Sequence, residues 1–474
     1  MNWLHLQGRT PLLPHTIVLA DGAKLQLNAW LRVLPDQRYV ARAQWQGKTV
    51  LAKLFIGKKA KKHYQQELQG IQNLITQRLP TPAVVESHST EQHSYLLFDY
   101  LENNQSLAEQ WAALEQASDK LSPQQIDLLQ QALRLIAQMH KQGLWQSDLH
   151  LDNFLQQEQT LYIIDGGSIQ HQQLGKPINK KAIINNLAIF FAQLPRIAVS
   201  DIDELLSYYQ QHNTSHKLSA DALTKPIEKI RQWRLKDYLK KTARDCSLFS
   251  VQKNAHGIKA FQRELQTTLQ PIIDSPDSFI SQGQMYKAGG SATVARIHWQ
   301  NRDWIIKRYN IKNLKHWFKR CWRPSRAWHS WQSAHRLQLL GIPAISVHAV
   351  REERIFGLRK RAWLVSSYCG EQDVIDRFAA YVDNGQVPEQ ELHSLIRLLR
   401  LMKAEKISHG DLKGHNIFWH NGQFVLIDLD AVKHHRGNKT YAKAFKKDRA
   451  RLLRNWPKES ALYRLLDKNL PQIN

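Results

Sequence analysis

Cysteine is scarce in this chain: three in 474 residues (Cys246, Cys321, Cys369), far apart and without a Cys-x-x-Cys pair. A disulfide framework is excluded, no zinc pattern is present, and the composition suits a reducing cytosol. No stretch approaches the ~20 consecutive apolar residues that a membrane span requires. The N-terminal segment MNWLHLQGRTPLLPHTIVLA has no basic start followed by an unbroken apolar core, so it reads poorly as a signal peptide. A soluble or membrane-peripheral protein is expected. Acidic residues are also few, 41 against 66 lysines and arginines, which leaves a net charge of +25. Such an excess predicts a polyanionic partner: nucleic acid, an anionic membrane surface or a phosphorylated substrate. No nucleic-acid recognition motif accompanies the charge, so nucleic acid is not the expected partner.

What is present supports globular structure. A hydrophobic fraction of 42%, with 15 tryptophans, supplies enough apolar surface for two domains of ordinary size. An internal repeat organises them. The segment SDLHLDNFLQQEQTLYIIDGG, from Ser147, matches GDLKGHNIFWHNGQFVLIDLD, from Gly410, at a shift of 263 residues. That shift superposes Asp148 on Asp411, Asn153 on Asn416 and Asp165 on Asp428, together with the apolar flanks Met139/Met402 and Leu149/Leu412. Around each copy the pattern is the same. A stretch with apolar residues at helical spacing (LLQQALRLIAQMHKQG, ELHSLIRLLRLMKAEKI) leads into a polar loop, then into two short β-rich runs. Between the copies, the basic segment from Lys217 to Phe249 reads as helix with Pro226 early in it. The turn-rich stretch Pro271–Phe279 reads as the linker. The expected domains are therefore 1–271 and 272–474.

The spacing carries chemistry. Phosphoryl transfer needs the triphosphate held, a metal placed and the acceptor hydroxyl aimed, with little covalent work from the protein. An aspartate five residues before an asparagine, and a second aspartate twelve residues after it, meets the last two needs. The first carboxylate accepts the hydroxyl proton, and the asparagine and second aspartate bind the metal. This predicts Asp411 and Asp148 as catalytic bases, and Asn416, Asp428, Asn153 and Asp165 as metal ligands. Upstream, Lys307 ends an apolar strand and Gly289, Gly290 and Ser291 form a turn between two β-like runs, a pair suited to holding phosphates. The first half offers Lys53 in a like strand, with Glu67 fourteen residues on in a helical stretch. Its corresponding turn, within RVLPDQRYVARAQWQG, has no glycine. In the second half, RAWHSW offers no glutamate to pair with Lys307. Glu352 and Glu353 are the nearest candidates, expected on a later loop.

The segment SHGDLKGHNIFWHNGQFVLIDLDAV, with AGGSATVARI, RPSRAWHSWQSAHRLQLLGIPA and KKDRARLLRNWP, resembles the lipopolysaccharide kinase family, which phosphorylates Kdo or heptose in the inner core. The resemblance covers roughly residues 280–457 and is looser in the first half. It implies an α+β fold of two tandem protein-kinase-like bilobal domains, ATP and Mg²⁺ as cofactors, and an ATP-dependent kinase acting on a sugar hydroxyl. The implied partner is lipopolysaccharide core or another anionic glycolipid, met from the cytoplasm at the anionic inner-membrane surface. Competing readings are a pseudokinase scaffold of the cell envelope, or a kinase of the same fold with a protein or small-molecule acceptor.

Three further features invite interpretation. The segment NIKNLKHWFKRCWRPSRAWHSW, from Asn310, mixes Lys, Arg and Trp as an interfacial helix would. GKKAKKH (from Gly57) and LRKR (from Leu358) read as solvated basic faces. The 22 histidines are scattered, and His434-His435 has no ligand spacing, so no histidine metal site is expected.

Overall fold

The computed structural model of the chain describes residue 8 and residues 11–91, 93–114, 121–196, 201–311, 317 and 321–473. It is an α+β protein of two compact units, each opening with an antiparallel sheet and continuing into a mainly helical region. Each unit has the two-lobed construction of a kinase.

In the first unit six strands lie in the order His15–Val18, Lys24–Leu34, Arg38–Trp45, Lys48–Ile56, His93–Asp99, Val84–Ser89. Side chains alternate across a strand, so Val50, Ala52 and Leu54 enter one core, with Leu25, Leu27, Tyr39, Ala41 and Ala43. Leu51 and Phe55 face the other core, beneath the helix Ala60–Thr76. Lys53 shares their parity, and the pleat therefore delivers its ammonium to the helix side of the sheet.

The second unit repeats the plan with seven strands. Their order is Phe249–Asn254, Gly257–Gln262, Val347–Ile355, Leu358–Ser367, Arg302–Tyr309, Ala292–Trp299, Gln284–Lys287. Trp304 and Ile306 pack under the helix Gln266–Asp274, with Leu269, Ile272 and Ile273. Lys307 and Tyr309 project to the opposite face, where Tyr309 joins a core with Ala327, Trp331 and Ala334 of the helix Arg326–Leu339.

The division between the units falls at Arg231/Gln232, inside the helix Ala220–Lys241, rather than near residue 272. Strand Gly257–Gln262 pairs with Val347–Ile355, Phe261 opposite Ala349, which makes the hairpin 249–262 part of the second sheet. The expected linker is helical: Ile272, Ile273 and Ile280 are buried in the second unit, and Ser275-Pro276 only separates two short helices. Turn-forming residues marked that junction correctly, and burial of the flanking isoleucines overrode the linker reading.

The expected helices lie at Pro123–Lys141 and Glu389–Ala404. Ser122 caps the first, accepting from the Gln125 N–H while the Gln125 side chain returns to the Ser122 N–H. Both bury an apolar stripe, Leu128, Leu129, Ala132, Leu133 and Ile136 in one and Leu395, Ile396, Leu398, Leu399 and Met402 in the other. Both also leave through a left-handed residue, Gly143 (φ 84°) and Lys406 (φ 51°), again 263 positions apart. The predicted hairpins follow, Phe154–Gln157 with Thr160–Ile163 and Ile417–His420 with Gln423–Leu426. Among the described residues no helix is long and apolar enough to cross a membrane.

Candidate functional site

In the second unit the helix Glu389–Ala404 and strand Ile407–Ser408 lead into the loop that carries Asp411. The loop is pinned from below. Asp448, on the helix Asn438–Leu453, accepts the backbone N–H groups of His409 (2.6 Å) and Gly410 (3.0 Å). Burial pushes the Asp448 carboxyl above the ordinary carboxylate range, against the pull of those two N–H groups. Gly410 sits at φ 82°, and a Cβ there would lie 2.7 Å from the Ala431 carbonyl oxygen, so only glycine fits. His409 Nε2 donates to the Ile427 carbonyl at 2.8 Å, fastening the loop to the strand that ends at Asp428.

Asn416 Nδ2 donates to the Asp411 carbonyl at 2.8 Å, and its own carbonyl accepts the Ile427 N–H at 3.0 Å. Asp411 keeps a partly exposed carboxylate between two cations, Arg451 Nη1 at 2.8 Å from Oδ1 and Lys413 Nζ at 3.8 Å from Oδ2. Asp428 has a left-handed backbone (φ 53°, ψ 61°), and its Oδ1 accepts from Lys307 Nζ at 2.5 Å. Burial raises the Asp428 carboxyl, but the Lys307 ammonium outweighs it and leaves the pKa below the ordinary value. Gly289 (φ 74°) and Gly290 (φ 63°) stand in open space at the turn before strand Ala292–Trp299. Ser291 offers its carbonyl to Asn310 N–H (3.2 Å) and Arg326 Nη2 (2.5 Å). The loop, the strand lysine, the two aspartates and the asparagine thus belong to one connected assembly. The Asp428 carboxylate and the Asn416 amide oxygen are hard ligands of the kind Mg²⁺ takes beside phosphate oxygens, so this donor set fits that ion.

The first unit has the same skeleton with different fittings. Gln146, 263 positions before His409, makes the matching bond, Nε2 to the Ile164 carbonyl at 2.8 Å. Asn153 Nδ2 reaches the Asp148 carbonyl at 2.7 Å, and Asp165 shares the left-handed backbone (φ 66°, ψ 63°). Lys53 Nζ bonds Glu67 Oε1. The Glu67 carboxylate also accepts the N–H groups of Gly166 and Gly167, both at 3.0 Å. Asp148 lies 3.3 Å from His150 Nε2. Asp165 is met by Arg38 Nη1 at 3.5 Å, and the same guanidinium stands 3.9 Å from Glu67. Each unit thus sets a cation beside its presumed metal carboxylate, Arg38 in the first and Lys307 in the second.

Sequence reasoning missed Asp430, Ser330, Tyr309, Arg326, Asp448 and Arg451. Glu352 and Glu353 do not serve Lys307. They lie on strand Val347–Ile355, not a loop; Glu352 is buried and pairs with Arg354 (2.9 Å) and Arg359 (3.2 Å). Asp430 partners Lys307 instead, Nζ to Oδ2 at 3.2 Å, and the repeat held its signal, since the 263-residue shift sets Asp430 on Gly167.

Of the Lys/Arg/Trp segment from Asn310, residues 312–316 and 318–320 lie outside the described residues. Trp331 is fully buried in the core, whereas Trp322 is 73% exposed. Its carbonyl accepts from Arg359, three residues beyond Phe356, which is 99% exposed at the turn of hairpin 347–367. The LRKR stretch is largely ion-paired, Arg359 to Glu352 and Arg361 to Asp277 and Glu353, and Lys61 of the GKKAKKH stretch pairs with Glu91.

A family model described as "Lipopolysaccharide kinase (Kdo/WaaP) family" matches residues 53–209 and 278–464. A solved structure, "WaaP in complex with acyl carrier protein", is similar at 17% identity, covering 44% of this chain and 88% of that one, with a TM-score of 0.32. No curated protein matches significantly.

Proposed function

Because the chain belongs to the lipopolysaccharide kinase (Kdo/WaaP) family, we propose that it transfers the γ-phosphoryl group of ATP to a heptose or Kdo hydroxyl of the lipopolysaccharide inner core. The observation that carries this reading is the assembly of Lys307, Asp411, Asn416 and Asp428 around one open loop in the second unit. The Asp411 carboxylate accepts the acceptor hydroxyl's proton as the new P–O bond forms and the bond to the β-phosphate breaks, releasing ADP. Lys307 and the Gly289–Ser291 turn hold the phosphates. Asn416 and Asp428 hold Mg²⁺, which when bound neutralises charge on the phosphate oxygens. The basic chain, with Trp322 and Phe356 exposed beside arginines, supports work at an anionic membrane surface bearing the glycolipid.

A second reading applies to the first unit alone. A turn at Asp36 with no glycine supports a binding unit that does not turn over ATP.

The test is phosphate transfer by the purified full chain, with ATP and Mg²⁺, to lipopolysaccharide lacking core phosphate, followed by mass spectrometry. Wild type should add phosphate to a core sugar, and Asp411→Ala should slow this by about 10²–10⁴-fold. A wild-type chain that phosphorylates no core sugar would refute the proposal. A loss at Asp148→Ala as large as at Asp411→Ala would move turnover to the first unit.

A further inference from the structure

The two units place the same carboxylate on opposite sides of one contact. In the first, the helix carries it: Glu67 bonds Lys53 and receives the N–H groups of Gly166 and Gly167. The contact is close. A Cβ on Gly70 would lie 1.9 Å from the Gly166 carbonyl oxygen, and one on Gly167 would lie 3.0 Å from Glu67 Oε2. The 263-residue shift carries Glu67 onto Ser330, Gly70 onto Ser333 and Gly167 onto Asp430. The helix Arg326–Leu339 buries the positions that this shift predicts, Ala327, Ser330, Ser333, Ala334 and Leu337, matching Tyr64, Glu67, Gly70, Ile71 and Leu74. The acid has crossed from helix to loop and a small residue has crossed the other way, so the volume at the contact is conserved.

Asp430 is fully engaged. Its Oδ1 accepts from Tyr309 OH (2.6 Å) and Ser330 Oγ (2.7 Å). Its Oδ2 accepts from Lys307 Nζ (3.2 Å), with Arg326 Nη1 at 3.9 Å. Arg326 in turn bonds the Ser291 carbonyl, at the turn that follows Gly290. With both oxygens committed to protein donors, Asp430 is built to hold neighbours in place rather than to ligate a metal.

We infer that Asp430, seated by Ser330 and Tyr309, is the positioning residue for Lys307, replacing the helix glutamate that performs this task in the first unit. It fixes the lysine strand, the helix and the phosphate turn relative to the loop of Asp428, whose Oδ1 meets the same ammonium at 2.5 Å. The inference rests on the reading that the second unit binds ATP.

ATP kinetics of the full chain test it, with ATP hydrolysis as the readout and thermal melting as a folding control. Asp430→Asn keeps the shape and removes the charge. It should raise KM for ATP about tenfold with a smaller loss in kcat, the size of one charge-assisted hydrogen bond. Asp430→Gly should lose more, and adding Ser330→Glu, which restores the first unit's arrangement, should recover a large part of that loss. A purely structural role for Asp430 would show no such rescue. An Asp430→Asn variant with wild-type KM, or a double variant no better than Asp430→Gly, would overturn the inference while leaving the kinase reading intact. A wild-type chain that neither binds nor hydrolyses ATP would overturn both.

Discussion

Gln146 and His409 stand 263 residues apart and do the same work, each donating from Nε2 to the carbonyl of an isoleucine one residue before the left-handed turn that presents Asp165 or Asp428. Both side chains are completely buried, so the carbonyl each serves has no water to replace it. The equivalence predicts that His409→Gln folds with stability within about 1 kcal/mol of wild type. His409→Ala should cost about 1–3 kcal/mol through the unsatisfied carbonyl. Urea denaturation of the two variants distinguishes a shared structural role from one that requires imidazole.

Gly70 marks the closest approach in the first unit. Because its added Cβ would meet the Gly166 carbonyl at 1.9 Å, Gly70→Ala must push the helix away from the loop that holds Asp165. The expected cost is about 1–3 kcal/mol of first-unit stability. Hydrogen exchange should report it at residues 60–76 and 165–168, with exchange across 407–430 unchanged.

Arg451 offers a contrast between stability and turnover. Its ion pair with Asp411 is nearly half exposed on both sides, so Arg451→Met should change stability by less than about 1 kcal/mol. The same substitution should cut phosphate transfer about tenfold, because the arginine also bonds the Gly410 carbonyl and holds the loop in register. Equal losses in melting temperature and rate would contradict this.

Two buried histidines, His140 and His335, and the half-buried His348 set the acid limit. Burial pushes His140, His335 and His348 down to about 4. Unfolded histidine titrates near 6.5, so the unfolded state takes up protons first as pH falls. The stability held above pH ~6.5 is therefore lost progressively towards pH ~4, by about 2 kcal/mol per histidine at pH ~5. His140 bonds Tyr209 and Asn186 in the first unit, and His140→Gln should flatten that unit's decline in a urea series between pH 7 and 5. An unchanged slope would refute the assignment.

Much of this was legible before any coordinates. The repeated Asp–Asn–Asp spacing, the strand lysines and the helix–loop–hairpin order are local patterns, written by side-chain period and turn chemistry within a few residues. The domain boundary was not, because turn residues at 271–279 look alike whether a chain leaves a domain or turns a corner inside it. Pairing of the 257–262 strand with residues 349–353 decided that. Glu67 was found for Lys53 because the two are fourteen residues apart, with Glu67 on the helix that follows the lysine's strand. Lys307 and Asp430 are separated by 123 residues, and Arg38 and Asp165 by 127.

The sequence by itself determined that an aspartate, an asparagine and a second aspartate recur at equal spacing in two sets. Only the tertiary structure decided that Asp430 meets Lys307, and that an arginine stands beside Asp165 while Lys307 stands beside Asp428. The physical reason is that an ion pair depends on distance in space. The packing of sheet, helix and loop sets that distance, and no spacing along the chain encodes it.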